Sequence, residues 1–353
     1  MTGRLPLVNK VMVAFSVSVF IFEWVVYNVV FLGRILPTLD KEQWIPLFAV
    51  LFNCVWLLAF LTYCRVHSSS PGVITEQWRA FVQNTAGLDV IVSRQEWQPG
   101  KCTTNNKSKE IRPERAHFCS MMGIDVLRMD HYCPWTGNVI GFKNHKFFIL
   151  LGWYGALSAA VAFATSMPWL IQCAVDNEDT EDVILVDRIF FFTFGVFAFL
   201  VMTLLTGLTV SHFPLACRNM TTIEETYTNM PNPYDQQNWF ENLSEIFGDF
   251  GIDWFLPVDP MHPRSDGFSY KRMGEVLPEG LIEVYHSDSW GHASSKNGGA
   301  GFMYGDYGDE PVLARLPEDI WHFRYAGRPR ALAQAVPDNS WFSWLTFASP
   351  TGR

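Results

Sequence analysis

The chain has 353 residues, of which 49% are hydrophobic and only 17% are charged, and its formal net charge at pH 7 is −9. Soluble globular proteins usually carry about 25% charged residues, so this composition argues against an ordinary soluble enzyme. The acidic balance gives no reason to expect a nucleic-acid partner. The sequence also lacks internal repeats and a glycine-rich phosphate-binding motif.

Four apolar stretches are long enough to cross a bilayer, which needs about 20 apolar residues per helix. They are Val11–Leu32, Trp44–Cys64, Phe147–Ala174 and Ile189–Val210. Four stretches of this length favour membrane spans over buried helices of a globular core. We therefore predict an all-α membrane protein with four transmembrane helices, in which a cytosolic, cysteine-rich-type loop domain separates the second helix from the third.

Basic residues between the spans predict the orientation. Residues 65–146 carry eleven Lys and Arg residues, whereas Val175–Asp187 carries none. Segments rich in Lys and Arg remain on the cytosolic side. Both termini and residues 65–146 are thus predicted to be cytosolic, in an endomembrane (Golgi or ER) or in the plasma membrane.

The spans divide the chain into five predicted segments. The N-terminal segment 1–64 holds the first two spans, 65–146 forms the catalytic loop domain, and 147–210 holds the last two spans. Residues 211–260 form a compact cytosolic segment. Residues 261–353 include a stretch dense in Gly, Ser and Asn, which predicts a flexible cytosolic tail.

Seven cysteines are scattered along the chain without a paired spacing. Disulfides are disfavoured in the cytosol, so we expect free thiols. Cys64 and Cys217 lie at predicted cytosolic helix ends, where S-acylation and an unmodified thiol are both reasonable interpretations.

Residues 130–135, Asp-His-Tyr-Cys-Pro-Trp, place a carboxylate, an imidazole and a thiol within four positions at the predicted membrane surface. A cysteine is a useful nucleophile only as its thiolate, which a neighbouring histidine can generate. Pro134 disfavours a helical conformation at Cys133, and residues two apart share a face in an extended segment. We predict that Cys133 is the nucleophile and His131 its base. Asp130 would orient the imidazole if the chain turns there.

The surrounding motifs resemble those of the DHHC protein S-acyltransferases (palmitoyltransferases), in a variant that reads D-H-Y-C. The resemblance covers about residues 11–260 and rests on Arg112–Cys119, Val126–Trp135, Gly137–Phe148, Thr221–Glu224, Asn232–Asp235 and Asn238–Trp239. It implies transfer of a palmitoyl group from acyl-CoA to a protein cysteine through an acyl-Cys133 intermediate. The implied partners are membrane lipids, palmitoyl-CoA, and cytosolic or membrane substrate proteins with juxtamembrane cysteines.

The resemblance also implies supporting residues. Thr222 is the expected hydrogen-bond partner of the catalytic acid, although it could instead cap the following turn. Asn238 belongs to the family's C-terminal segment, and Trp135 would line the active site and anchor it at the interface. A basic fringe could contact the CoA phosphates, or could reflect topology and anionic lipid alone. This fringe includes Arg112, Arg115 and His117.

The two structural zinc sites of the family are degenerate in this sequence. Aligned without gaps from His131, the first falls on Asn105, Ser108, Phe118 and Asp125, and the second on Cys119, Met122, Tyr132 and Val139. Only Cys119 is a usual ligand, and a structural zinc needs four nitrogen or sulfur ligands. We expect no metal, and a small hydrophobic cluster at the second position. The alternative is an improvised site built from Cys102, His117, Cys119 and Asp125.

The lost ligands raise a rival hypothesis, a catalytically inactive DHHC-like membrane scaffold. A scaffold has no need of a reactive trio, so the retained Asp130, His131 and Cys133 favour an enzyme. A channel or transporter would place charged residues along several helices, and few are present here.

Overall fold

A computed structural model describes residues 7–175, 182–276 and 317–326 of the chain. Its helices are α1 (Leu7–Thr38), α2 (Ile45–Ser68), α3 (Glu76–Asn84), α4 (His145–Ala174), α5 (Leu185–Ala216), α6 (Trp239–Phe247) and α7 (Pro317–Ala326). Helices α1, α2, α4 and α5 are long and apolar enough to cross a membrane. The four predicted spans are confirmed, and the chain is a multi-pass membrane protein.

Helix α4 is central to the bundle and packs along both α2 and α5. Gly152 allows the close approach of α5, since a Cβ atom there would lie 2.7 Å from Thr209 Oγ1. Small residues at such crossings bring helix backbones together. Towards the other end of the bundle, aromatic rings fill the core, and Phe31 of α1 stacks on Phe191 of α5 with 5.1 Å between ring centroids.

Between α2 and α4 the chain forms three short two-stranded sheets. Strand β1 (Val90–Val92) runs parallel to β2 (Cys102–Thr104), β3 (His117–Cys119) pairs antiparallel with β4 (Ile124–Val126), and β5 (His131–Cys133) pairs antiparallel with β6 (Asn138–Ile140). Each strand has three residues, so the fold remains mainly helical.

The chain beyond residue 260 packs onto the loop domain, which differs from the predicted flexible tail. Phe268 is buried in one cluster with Trp321 of α7 and Trp78 of α3. The prediction is therefore wrong for residues 261–276 and 317–326, because their aromatic side chains find an apolar surface that the sequence alone does not reveal. The other residues of the predicted tail lie outside the described part of the chain.

Candidate active site

The β5–β6 hairpin positions the reactive residues at one end of the helix bundle. Its register pairs His131 with Ile140 and Cys133 with Asn138. The Asn138 side-chain amide donates hydrogen bonds to the carbonyl oxygens of Val66 and Ser69, each at 2.8 Å. These bonds fix the hairpin to the C-terminal end of α2, so that Cys133 lies where the loop domain meets the bundle.

Asp130, His131 and Cys133 form one interacting series. His131 Nδ1 lies 2.6 Å from Asp130 Oδ2 and donates to it, and the same imidazole interacts with the Cys133 thiol. The chain turns just before the acid, at Arg128 with a φ of 43°. Phe148 of α4 packs edge-on against the His131 ring at 4.9 Å. The three side chains thus have the order carboxylate, imidazole, thiol.

The electrostatics of this series favour a charged thiolate. Burial opposes charge on Cys133, but hydrogen bonds from His131 and Thr136 outweigh it and lower the pKa of the thiol. Burial likewise opposes charge on His131, but Asp130 and Cys133 raise the pKa of the imidazole to about 9. For Asp130, the His131 hydrogen bond overcomes burial and lowers the pKa of the carboxyl. The His131 imidazolium thus favours the thiolate form of Cys133 relative to an isolated thiol.

Thr222 holds the acid from the segment that follows α5. Its backbone N–H donates to Asp130 Oδ1 at 2.7 Å, and its hydroxyl donates to the Asp130 carbonyl oxygen at 2.9 Å. Because His131 takes the other carboxylate oxygen, both oxygens of Asp130 have donors. Thr222 has the position that the family resemblance implies.

Apolar side chains surround Cys133 on the side of the bundle. They belong to α2, α4 and β6 and include Tyr63, Val66, Ile140, Phe147, Phe148 and Leu151. Trp135 follows in the chain with 52% of its surface exposed, and its carbonyl oxygen accepts from the Tyr63 hydroxyl at 3.0 Å. The thiol thus lies at a boundary between a polar loop and an apolar helix surface.

The predicted basic fringe takes a different form in the structure. Arg112 is buried and pairs with Asp125, Nη1 to Oδ1 at 2.9 Å, and Arg115 is buried against Glu224. Burial also lowers the pKa of His117 to about 4, so this imidazole is neutral. The expectation that these three residues contact the CoA phosphates is therefore wrong. The two arginines are paired with carboxylates inside the loop domain, and the histidine carries no charge.

Asn238 lies on the surface at the start of α6. Its side-chain oxygen accepts from the Phe240 N–H at 3.0 Å, which is an N-cap contact. One turn later, buried Asn242 donates to the Cys217 carbonyl oxygen at 2.9 Å and to Asp235 at 2.7 Å. Asn242 is therefore the residue that ties α6 to the end of α5, and sequence reasoning missed it.

The residues at the first degenerate zinc position do not fit a metal. Asn105 Oδ1 accepts from the backbone N–H groups of Lys107 and Ser108, closing a turn. The Asp125 carboxylate is paired with Arg112, and both side chains are at most 2% exposed. A guanidinium group thus supplies the positive charge at this place.

The second position does not fit a metal either, because it is an apolar cluster. Cys119, Val126 and Val139 are buried together, and Tyr132 packs against them. Met122, which was expected in this cluster, is 37% exposed. Among the described residues, the four members of the improvised site are not grouped closely enough to ligate an ion.

Two further polar residues near the trio were not identified from the sequence. Asn219 Oδ1 accepts from both Arg115 and Arg128, each at 3.1 Å. His212, near the C-terminal end of α5, lies 3.6 Å from the Asp130 carboxylate, measured from Nδ1 to Oδ2. A polar side chain at the end of a long apolar helix was the available signal, since such residues are often functional.

Comparison with known proteins gives a match for the segment that holds this site. Residues 99–229 match the family model described as DHHC palmitoyltransferase. Palmitoyltransferase ZDHHC2 of Danio rerio is 33% identical over 166 residues, which cover 45% of this chain and 44% of that protein.

Two other relatives match over longer segments. Probable protein S-acyltransferase 14 of Arabidopsis thaliana is 28% identical over 59% of this chain and 70% of its own length. Palmitoyltransferase ZDHHC7 of Rattus norvegicus is 29% identical over 66% of this chain and 72% of its own length. The segment that holds Asp130, His131 and Cys133 therefore matches the DHHC palmitoyltransferase family model, and these relatives are named palmitoyltransferases or protein S-acyltransferases.

Proposed function

We propose that the chain is a protein S-acyltransferase, which moves a palmitoyl or similar long-chain acyl group from acyl-CoA to a cysteine of a substrate protein. The observation that carries this proposal is the series Asp130–His131–Cys133 at the boundary of a membrane-spanning bundle. A thiolate is the species that attacks a thioester, and the acyl chain of the substrate partitions into the apolar phase.

In the first step, the Cys133 thiolate attacks the carbonyl carbon of the acyl-CoA thioester. The carbon–sulfur bond to CoA breaks, and the CoA thiolate takes the proton of the His131 imidazolium. The products are acyl-Cys133, neutral His131 and CoA thiol. Asp130 keeps the imidazole oriented and supports its charge before the transfer.

In the second step, neutral His131 accepts the proton of the substrate cysteine. The resulting substrate thiolate attacks the acyl-Cys133 carbonyl carbon, and the bond between that carbon and Cys133 sulfur breaks. Cys133 leaves as a thiolate beside the regenerated imidazolium. The site thus returns to its starting charge state.

The apolar cluster around Cys133 supports an acyl chain that runs into the bundle. Phe147, Phe148 and Leu151 belong to a membrane-length helix, so a chain attached to Cys133 can leave water as soon as the thioester forms. We propose membrane lipids, acyl-CoA and proteins with juxtamembrane cysteines as partners. The loop domain and both termini would face the cytosol, as the distribution of basic residues predicts.

The structural role of zinc in this loop domain is proposed to have passed to protein contacts. The Arg112–Asp125 pair and the cluster of Cys119, Val126 and Val139 stand at the degenerate positions.

Self-acylation of the purified full chain tests the function. With radiolabelled or clickable palmitoyl-CoA, the wild-type protein should acquire a hydroxylamine-labile label, and Cys133→Ser should acquire none. Cys102→Ser removes another buried thiol and serves as a matched control that should still label. Absence of label on a folded wild-type protein would instead support the inactive scaffold, and equal labelling of Cys133→Ser would move the chemistry to another thiol.

A further inference from the structure

His212 of α5 lies close to the same carboxylate oxygen of Asp130 that accepts a hydrogen bond from His131. Its Nδ1 is 3.6 Å from Asp130 Oδ2, the oxygen that accepts from His131 at 2.6 Å. The ligand-type atoms of Asp130, His131 and His212 all lie within 4.8 Å of one another. Asp130 Oδ2 therefore lies near two imidazole rings.

The two imidazole rings are also held by one side chain. Their centroids are 5.3 Å apart, and Phe148 packs edge-on against each at 4.9 Å. The His212 side chain is 15% exposed, and Leu208, Thr209 and Phe213 of its own helix line the small cavity that it borders. Because helix and ring packing fix His212, its ring cannot turn freely away from the carboxylate.

We propose that His212 is a positioning residue for the acyl transfer, which acts on His131 through Asp130. The inference rests on the proposed function and extends it. A nitrogen–oxygen distance of 3.6 Å is longer than a hydrogen bond, which needs about 2.7–3.2 Å. When His131 gives its proton to CoA, the charge attraction between His131 and Asp130 is lost, and a small closing movement makes the His212 N–H a second neutral donor to Oδ2. His212 then keeps the carboxylate, and with it the His131 ring, in place for the second step.

Other charged groups around the carboxylate have different tasks. Arg128 and His145 are joined by a contact of 2.9 Å, and both interact electrostatically with Asp130. The carboxylate of Glu225 interacts electrostatically with His212. Among the described residues of the membrane-spanning helix α5, His212 is the titratable side chain that lies close to Asp130 and His131.

The test compares self-acylation of three full-chain variants across pH. His212→Phe keeps an aromatic ring without a donor, His212→Asn keeps a donor near the position of Nδ1, and His262→Asn changes an exposed histidine as a control. We expect a roughly tenfold lower labelling rate for His212→Phe. The loss of activity at low pH should also begin at a higher pH, because a displaced Asp130 supports the His131 imidazolium, and with it the Cys133 thiolate, less well. His212→Asn and His262→Asn should stay within about twofold of wild type and keep its pH profile.

Two outcomes would overturn the inference while leaving the proposed function intact. One is a wild-type rate and profile in His212→Phe. The other is an equal loss in His212→Phe and His212→Asn with an unchanged pH profile, which would indicate packing alone. If His212→Phe does not fold, as judged by thermal unfolding in detergent, His212→Leu, which also lacks a donor, takes its place in the same comparison. Absence of labelling in the wild type would instead contradict the proposed function.

Discussion

Arg115 and Glu224 form a bidentate ion pair inside the protein, with Nε–Oε1 at 2.6 Å and Nη2–Oε2 at 2.7 Å. The pair joins the loop domain to the segment after the last span, 109 positions later in the sequence. Glu224 Oε2 also accepts from the Thr221 N–H at 2.9 Å, and the next residue, Thr222, donates hydrogen bonds to Asp130. The pair therefore connects the stability of the loop to the position of Asp130.

Breaking this pair should destabilise the protein strongly. Glu224→Gln leaves the buried Arg115 charge without its partner, which typically costs about 3–5 kcal/mol of unfolding free energy. Glu76→Gln removes an exposed carboxylate that also pairs with an arginine, Arg79, and should cost at most about 1 kcal/mol. Thermal unfolding in detergent measures both. Equal melting temperatures for the two variants would contradict the structural importance of the Arg115–Glu224 pair.

Removing the acid should narrow the pH range of self-acylation. The labelling rate should fall at low pH, where Cys133 loses its thiolate form, and at high pH, where His131 loses its proton. The fall at high pH should lie near pH 9, since the pKa of His131 is raised to about 9. Asp130→Asn removes the negative charge that raises the His131 pKa, so the upper limb should move to lower pH. A weaker imidazolium also stabilises the thiolate less, so the lower limb should move to higher pH.

A pH series of initial labelling rates with palmitoyl-CoA checks this expectation. Asp89→Asn, which changes an exposed acid that pairs with Lys101, is the control and should keep both limbs. An unaltered profile for Asp130→Asn would show that the acid does not act through the charge of His131.

The Thr222 hydroxyl should contribute measurably to catalysis. Thr222→Val keeps the shape and the backbone N–H but loses the hydrogen bond to the Asp130 carbonyl oxygen, and one such bond is worth about 1 kcal/mol. We expect a labelling rate about fivefold lower, the factor that corresponds to about 1 kcal/mol. The reason is that loss of the bond at the Asp130 carbonyl oxygen loosens the whole residue, including its carboxylate. Thr222→Ser retains the hydroxyl and should recover most of the rate. If Val and Ser behave alike, the hydroxyl has no role.

The purified, active protein should contain no stoichiometric zinc and should tolerate chelators. The first degenerate position holds the Arg112–Asp125 pair, and at the second Val139 is fully buried beside Cys119. Val139→Asp should unfold the loop and abolish labelling, since it buries a charge without a partner. Tyr132→His alone should not confer zinc binding, because the remaining positions lack ligands. One or two zinc atoms per chain by elemental analysis would contradict this reading of the loop.

Helix α7 should stabilise the loop domain from the C-terminal side. Trp321 packs against Trp78, Phe81 and Phe268 with ring centroids 5.2–5.5 Å apart, and its indole N–H donates to Asp266 at 2.8 Å. Trp321→Ala should cost about 3–5 kcal/mol and should expose the loop domain to limited proteolysis. Trp239→Ala, at a position 61% exposed, is the control. Equal protease resistance in both variants would contradict the docking of α7.

The sequence by itself determined the parts of this protein that depend on local chemistry. The four spans follow from runs of apolar residues, since a bilayer needs about 20 of them per helix. The extended conformation of Cys133 follows from Pro134, and the motif around it was sufficient to predict which family model matches residues 99–229. Each of these features depends on neighbours along the chain.

Only the tertiary structure decided where the charged residues outside the motif go. Arg112 and Arg115 looked like a surface fringe, but their partners lie 13 and 109 positions away, and no local pattern reveals a buried partner. The same applies to α7, whose aromatic residues need the surface of α3. Such contacts depend on how distant segments close over one another, because burial of a charge or a ring is a property of the folded surface and not of its neighbours in sequence.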